Sequence, residues 1–350
     1  MARLTRREAE EIRKLHSSAM RRAVLSAFTD IKNDVVLADL VARIEAGDID
    51  GALAAINLVA AKFAAMDAAL IAAYTAGGTR TANVIGTLNN GQSRVVFGFD
   101  VRAPRAERWL QDRSSELIVE IIQDQRDMIR DALERRMVTG HNPRTTALDI
   151  VGRIDRTTKR RTGGLIGLTR NQSQYVSNMI DDLTDIQNPI SAGRYFSRDR
   201  RDRRFDSVIR RAIDEGKDLT AQQVRAISAR YEDSLLQLRG ETIGRTESIN
   251  ALRAGQQESV LQAMDVEGIR HSEAQKEWDA SGDSRTRSDH RRMEGQAVPI
   301  DQPFIAPDGS RLMYPGDSSL GASAEQTIQC RCRQRTKVDF LGSALRLEGF

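Results

Sequence analysis

The first 140 residues show the spacing of apolar side chains that is typical of long helices. This spacing runs through about residues 4–31 and again through about residues 49–75, where the Gly-Gly pair at 77–78 is expected to end the second helix. The same spacing predicts a third helix over about residues 104–138, and its first residue is a proline, which the first helical turn tolerates. The chain therefore begins with a long-helical region.

The pattern changes twice after this region. The run SRVVFGFD, residues 93–100, has the β-branched and aromatic content of a strand, although its partner is not evident from the sequence. A helix is predicted to begin near Thr169, and one helix, or two separated at 240–244, covers about residues 221–264. After Val266 the helical spacing gives way to short runs broken by Gly, Pro, Asp and Ser, which indicates hairpins and ordered loops.

These patterns predict an α+β protein with a long-helical N-terminal region followed by a mixed helix and β-hairpin C-terminal domain. We expect the helical region to cover residues 1–155 and the C-terminal domain residues 156–345, with its hairpin-rich part at about 266–340. The GGLIGL run that begins at Gly163 lacks the full dinucleotide fingerprint and the Lys-Ser/Thr of a phosphate loop. We interpret it as a turn that leads into a packed helix.

Composition narrows the functional classes. The chain has 350 residues, of which 40% are hydrophobic, and its net charge of +4 is a small difference between 53 basic and 49 acidic residues. This balance describes a mixed-charge surface and gives no general indication of nucleic-acid binding. Only seven of the basic residues are lysines, and arginine suits bidentate pairs at interfaces, as in an assembly component.

Nothing in the sequence predicts secretion or a membrane span. The two cysteines are one residue apart and cannot form a secreted disulfide framework, and the charged N-terminus has no apolar segment typical of a signal peptide. The apolar run at 51–78 contains Lys62 and Asp67, each of which would cost about 2.5 to 3.5 kcal/mol near a bilayer centre. We therefore expect an intracellular protein whose alanine-rich helix is packed.

The two cysteines offer a possible metal site. Residues i and i+2 of an extended chain share one face, so Cys330 and Cys332 can point toward one ion. A tetrahedral zinc needs about four ligands, and His290 with His271 or Asp283 could supply the others. The favoured interpretation is instead that the two thiols are small, partly buried side chains on a strand and that no cofactor is bound.

The segment WDASGDSRTRSDHRRMEGQ, residues 278–296, is the second candidate for chemistry. His290 beside Asp283 or Asp289 could perform acid and base work, as in a metal-dependent DNA-processing enzyme. Arginine forks and carboxylates also pair well in structural networks, and we favour that role. The residues predicted to form this structural polar network are Trp278, Asp283, Arg285, Arg287, His290 and Gly295.

Two basic clusters could bind anions. The run RYFSRDRRDRRFD, residues 194–206, mixes arginines with aromatic residues, but three aspartates among them favour internal salt bridges over nucleic-acid binding. The other cluster has only Asp155 to offset it and is the better candidate for binding an anionic partner. Its members are Arg153, Arg156, Lys159, Arg160 and Arg161.

The order of these segments is informative. The series runs RTGGLIGLTRNQSQYV, GRYFSRDRRDRRFD, LRGETIGRTESINALRAGQQE, WDASGDSRTRSDHRRMEGQ, PFIAPDGSRLMYPGD and CRC. Over about residues 161–340 it resembles the Mu F-like minor head proteins of tailed phages, also called phage head morphogenesis proteins. The last motif of that family commonly has an asparagine before the cysteines, where this chain has Gln329.

The resemblance implies a structural component of the virion rather than an enzyme. It places such a protein inside the head, at or near the portal vertex, with roles in head assembly and in DNA packaging or delivery. The implied partners are the portal protein, the major capsid protein or both, with packaged phage DNA as a further contact. No membrane and no small-molecule substrate is implied, and during assembly the protein would be in the host cytoplasm.

Overall fold

The computed structural model describes residues 6–89, 94–155 and 157–338. Most of these residues are helical. The α-helices are α1 (Arg6–Asp34), α2 (Leu37–Glu45), α3 (Ile49–Ile56), α4 (Ala64–Ile85), α5 (Pro104–Val138), α6 (Pro143–Val151), α7 (Arg170–Thr184), α8 (Pro189–Ser197), α9 (Asp206–Asp214), α10 (Ala221–Glu267), α11 (Ser288–Arg292) and α12 (Ala324–Thr327).

The strands are short and antiparallel, and most of them lie in the C-terminal part of the chain. They are β1 (Thr87–Asn89), β2 (Arg94–Val96), β3 (Arg153–Ile154), β4 (Arg161–Thr162), β5 (Ala274–Asp279), β6 (Ala297–Pro299), β7 (Phe304–Ile305), β8 (Arg311–Leu312) and β9 (Arg333–Val338). The largest described sheet has the order β6-β5-β9, and the other strands form two-stranded pairs. Long helices followed by small antiparallel sheets confirm the predicted α+β class.

Several predicted elements are present. The helix α5 begins at Pro104 and ends at Val138, as predicted. Of the predicted strand at 93–100, Arg94–Val96 form β2, whose partner is β1, residues 97–100 are not in a strand, and Ser93 lies outside the described residues. The two alternatives for residues 221–264 are resolved in favour of one helix, α10, which has 47 residues.

The prediction that the Gly-Gly pair at 77–78 ends a helix is wrong, because α4 continues to Ile85. A Cβ on Gly77 would lie 2.0 Å from the backbone oxygen of Leu252 in α10, a distance that no side chain can occupy. The glycine therefore allows α4 to lie against α10. The conformational freedom that makes glycine a helix breaker is outweighed here by the packing of two helices.

The apolar segment at 49–85 is long and apolar enough to meet a simple test for a membrane span. It is divided among α3, a 3-10 turn at Ala60–Phe63, and α4. In α4 the side chains of Met66, Leu70 and Tyr74 are buried. The segment thus contributes a packed helix, as its charged residues indicate.

The described chain forms two compact units. The first comprises described residues of the segments 1–21, 66–114 and 242–350, and the second those of 22–65 and 115–241. Each unit therefore takes residues from both halves of the sequence. The predicted domain boundary at 155–156 lies within the second unit, between β3 and β4.

The GGLIGL run forms a turn in the second unit, as predicted, and buried charges hold it in place. Lys32 Nζ donates a hydrogen bond to the carbonyl oxygen of Gly163 over 2.7 Å, and the N–H of Gly164 donates to the carboxylate of Glu232. The turn leads into α7, which Thr169 caps together with Gln172 in a capping box. The backbone of the run is thereby bonded to protein groups, which supports a structural role.

Candidate metal centre and polar network

The candidate site lies in the first unit, around the three-stranded sheet. Strand β5 alternates between buried and more exposed side chains, so that Ala274, Lys276 and Trp278 all face the interior. Trp278 is fully buried and packs in one apolar cluster with Phe304, Leu312 and the two cysteines. The short helix α11 places His290 on the same cluster, where its ring makes an edge contact with Trp278, with 5.2 Å between the ring centroids.

The structure brings His290, Cys330 and Cys332 together. The Nδ1 atom of His290 lies 3.4 Å from Sγ of Cys332 and 3.8 Å from Sγ of Cys330. A tetrahedral zinc with bonds of about 2.3 Å to sulfur and about 2.0 Å to nitrogen would separate these atoms by about 3.6 Å. The spacing therefore fits three ligands of one ion.

The other two proposed ligands lie elsewhere. Asp283 forms an ion pair with Arg331, and that hydrogen bond lowers the pKa of the aspartate to about 2. The Nδ1 atom of His271 lies 3.6 Å from a carboxylate oxygen of Asp301. Among the described residues, only His290, Cys330 and Cys332 form a group with metal-binding spacing. The described residues thus supply three ligands, and a bound zinc would need a fourth, such as a water molecule.

The surroundings of the thiols favour a thiolate at Cys330. A hydrogen bond from Cys332 lowers the pKa of Cys330 well below its usual value, against the opposing effect of burial. Arg253 donates hydrogen bonds to the carbonyl oxygens of Cys330 and Pro315, and its positive charge also lowers the pKa of Cys330. A thiolate is the form that binds a metal ion, so the electrostatics agree with the spacing.

The geometry does not favour acid and base chemistry by His290. The side chain is only 1% exposed, and its Nδ1 faces the two thiols. Its Nε2 is buried without a hydrogen-bond partner. Asp289, the nearest carboxylate in sequence, pairs with Arg292 and accepts a hydrogen bond from Gln326. A general acid or base must reach the substrate directly, and the burial of His290 prevents the imidazole from doing so.

The six residues of the predicted polar network have several different partners. The N–H of Gly295 donates to the carbonyl oxygen of Trp278, and the N–H of Arg285 donates to Asp283. Arg287 donates to the carbonyl oxygen of Ile328 over 2.6 Å. The first two contacts lie within the 278–296 segment, and the third joins it to the residues before the cysteines. All six residues lie in the 278–296 segment, but Asp283, Arg287 and His290 do not bond to one another and each has its own partner.

The basic cluster near residue 155 lies on the β3–β4 hairpin of the second unit. Arg153 pairs with Asp149 at 2.8 Å, and Arg161 donates to the carbonyl oxygen of Gly152. Lys159 and Arg160 are exposed, whereas Arg156 lies outside the described residues. Two described members of the cluster are thus engaged within the protein, and two remain exposed to a partner.

In the arginine-rich run at 194–206, Arg201 and Arg204 form the predicted internal salt bridges, with Asp206 and Asp202, and two further arginines pair with an aspartate outside the run. Arg194 and Arg198 both pair with Asp182, which is buried, and Arg201 pairs with Asp206. These pairs hold α7, α8 and the start of α9 together. The run therefore uses much of its charge within the second unit.

Three important residues were not identified from the sequence. Arg331 pairs with Asp283, Arg253 donates to the carbonyl oxygen of Cys330, which lies just before β9 rather than on a strand, and Lys276 donates to the carbonyl oxygen of Met313 from a fully buried position. The alternation in β5 could have revealed that Lys276 faces the interior with Trp278. Sequence alone gave no signal for the other two, because their partners are distant in the chain.

Comparison with known proteins gives one match. Residues 203–335 match the family model described as Phage Mu protein F like protein. No curated protein and no solved structure matches the chain. The matched segment begins before α9 and ends within β9, so it includes α10, the cysteine–histidine cluster and all of the predicted polar network. The match bears out, over residues 203–335, the resemblance inferred from the ordered motifs.

Proposed function

We propose that the protein is a minor head protein of a tailed phage, a structural part of the virion that lies inside the head at or near the portal vertex. In this role it acts in head assembly and in DNA packaging or delivery. The observation that carries the proposal is the Mu F-like match over residues 203–335. The proposed partners are the portal protein, the major capsid protein or both, together with packaged DNA.

The character of the site supports a structural role. His290, Cys330 and Cys332 are each no more than 2% exposed, so they are placed to stabilise the C-terminal part of the first unit. A bound zinc ion would add to that stabilisation, since structural metal sites contribute to folding. The proposal needs no substrate and no catalytic residue.

The position near the portal can be tested by cross-linking. Proheads carrying the protein would be treated with a lysine-reactive cross-linker and analysed by mass spectrometry. We expect cross-links between this chain and the portal protein, at sites that include exposed Lys159. Cross-links to the major capsid protein alone, distributed over the whole shell, would contradict the portal position while leaving a virion role intact.

A further inference from the structure

The chain turns sharply just before the two cysteines. Helix α12 ends at Thr327, strand β9 begins at Arg333, and between them the backbone of Gln329 has a φ of +52°. This left-handed conformation is unfavourable for a residue with a Cβ atom, and asparagine and aspartate adopt it more readily than other side-chain-bearing residues. Other contacts must therefore hold Gln329 in this conformation.

Two threonines of α10 supply those contacts. The backbone N–H of Gln329 donates a hydrogen bond to Oγ1 of Thr246 over 3.1 Å, and its side-chain Nε2 donates to Oγ1 of Thr242 over 3.4 Å. Residues four apart in a helix lie on the same face, one turn from each other. The backbone and the side chain of Gln329 are thus bound to one face of α10.

The residues on either side of Gln329 are bound as well. Arg287 donates to the carbonyl oxygen of Ile328 over 2.6 Å, and Arg253 donates to that of Cys330 over 3.3 Å. Because the backbone is held on both sides, the left-handed turn at Gln329 sets the direction in which the Cys330 side chain leaves the chain.

That direction matters for the metal-binding spacing. The Sγ atom of Cys330 lies 3.8 Å from Nδ1 of His290, and the Sγ atom of Cys332 lies 3.4 Å from the same nitrogen. Cys332 has a separate support, because its sulfur accepts a hydrogen bond from the N–H of Ser281. A change in the turn at Gln329 would therefore move Cys330 relative to the other two ligands.

We propose that Gln329 is a positioning residue for a thiophilic metal ion, such as zinc, that is bound by His290, Cys330 and Cys332. Its left-handed backbone, held by the two threonines of α10, points the Cys330 thiol toward the other two ligands. Groups that orient metal ligands from outside in this way typically change metal affinity by about 10- to 100-fold. This role goes beyond the proposed function, since it does not depend on where the protein lies in the virion.

The test uses cobalt(II) as the probe, because cobalt bound to thiolates absorbs in the near ultraviolet and tetrahedral cobalt also absorbs in the visible range. The purified full chain is kept reduced, freed of metal with a chelator that is then removed, and titrated with cobalt chloride. The titration gives the affinity, and the spectrum reports the geometry of the ligands. We expect the unchanged protein to bind about one equivalent of cobalt with thiolate absorption.

Two variants disturb the turn. Gln329→Val removes the side-chain amide and places a β-branched residue in a left-handed conformation that such residues rarely adopt. Thr246→Val removes the hydroxyl that accepts the Gln329 N–H and keeps nearly the same shape. Each should weaken cobalt binding by about 10- to 100-fold and change the spectrum of the cobalt-loaded protein.

Two further variants serve as rescue and control. Gln329→Asn keeps an amide and tolerates the left-handed conformation, so it should bind cobalt more tightly than Gln329→Val and preserve the spectrum. Lys159 also has a left-handed backbone, with a φ of +58°, but it lies in the second unit, on the β3–β4 hairpin. Lys159→Val should therefore bind cobalt with the affinity and spectrum of the unchanged protein. Circular dichroism would verify that each variant is folded.

The assignment of Gln329 is wrong if the unchanged protein shows no thiolate absorption with cobalt. It is also wrong if folded Gln329→Val and Thr246→Val keep the unchanged affinity and spectrum, or if Lys159→Val loses as much affinity as they do. If Gln329→Val does not fold, Thr246→Val decides, because a purely structural role would lower its melting temperature and leave the cobalt spectrum unaltered. Failure of the proposed function would appear separately, in the composition of phage particles, and would leave the cobalt data unchanged.

Discussion

The Nδ1 atom of His290 lies 3.4 Å from the Sγ atom of Cys332, although 42 residues separate the two positions along the chain. This contact joins the 278–296 segment to the CRC motif inside one apolar cluster. Trp278 packs against the histidine ring, and Arg253 donates a hydrogen bond to the carbonyl oxygen of Cys330. The two most polar motifs of the C-terminal part thus meet at a buried structural centre.

The first prediction concerns His290. Because the ring is buried between Trp278 and the thiols, His290→Ala should leave a cavity and unpaired neighbours, and should lower the free energy of unfolding by about 2 to 4 kcal/mol. Thermal or urea unfolding measures the change. His271→Ala, at a half-exposed histidine, is the control and should change stability by less than about 1 kcal/mol. A His290→Ala protein as stable as the control would rule out a structural role.

The second prediction concerns metal binding. The sequence favoured no cofactor, but the spacing of His290, Cys330 and Cys332 fits three zinc ligands, so we now expect protein purified from zinc-containing medium to carry about one ion per chain. Elemental analysis should find less zinc in Cys330→Ser and Cys332→Ser, and a chelator should lower the melting temperature of the unchanged protein. If the purified protein contains no metal and a chelator does not alter its melting temperature, the cluster is an ordinary buried contact and not a metal site.

The third prediction concerns the contact between α4 and α10. A Cβ on Gly255 would lie 2.1 Å from the backbone oxygen of Tyr74, so Gly255→Ala must separate the two helices. We expect a loss of about 1 to 3 kcal/mol in the free energy of unfolding. Gly193, in α8, has open space at the same position, and Gly193→Ala should instead gain up to about 1 kcal/mol from helix propensity. Equal effects of the two substitutions would show that the close helix contact is not required.

The fourth prediction is a pH dependence. Burial raises the pKa of Glu232 from 4.5 to about 7, so between those values the folded protein binds a proton that the unfolded chain has released. The stabilising contribution is complete below about pH 4.5 and is lost as the pH rises to about 7, by an amount on the order of 3 kcal/mol. Burial lowers the pKa of Lys32 to about 8, so its contribution changes only at higher pH.

Glu232→Gln should remove this pH dependence, because the amide can still accept the hydrogen bond from Gly164 without titrating. The measurement is the free energy of urea unfolding at several pH values between 4.5 and 7. Glu134→Gln, at an exposed position of α5, should retain the pH dependence of the unfolding free energy that the unchanged protein shows. An unchanged slope in Glu232→Gln would mean that the carboxylate is ionised throughout this range.

The fifth prediction concerns the β3–β4 hairpin, where Lys159 and Arg160 are exposed. If these side chains contact DNA, Lys159→Glu with Arg160→Glu should weaken DNA binding and reduce its salt dependence, since each phosphate contact releases counterions. If they contact an acidic protein surface, the same variant should enter DNA-free proheads poorly. Reversing Arg126 and Arg135, exposed on α5, is the control. Normal incorporation and unchanged DNA binding in the hairpin variant would dismiss both partners.

Local patterns identified much of the fold. The spacing of apolar residues and Pro104 were sufficient for α5, and Thr169 marked the start of α7. At Gly77 a local rule for glycine gave the wrong helix end, because α4 continues to Ile85 and the glycine is required by a contact with Leu252. A local rule gives the backbone conformations that a residue permits, whereas packing against a neighbouring element selects among them.

The sequence identified which residues form the site better than it identified their partners. His290 and the cysteines were candidate ligands because their chemistry is distinctive, and the structure brings them together. Asp283, the other candidate, pairs with Arg331 instead. An aspartate can pair with any of 46 arginines, so sequence cannot select its partner. The assembly of each compact unit from separated chain segments has the same cause, since it depends on contacts between distant residues.

The most direct test of the central claim is quantitative mass spectrometry of purified phage particles and proheads. A minor head protein should be present in both, at far fewer copies than the major capsid protein, and should remain after washing that removes loosely bound host proteins. Its absence from both proheads and mature particles would contradict the proposed role in the head.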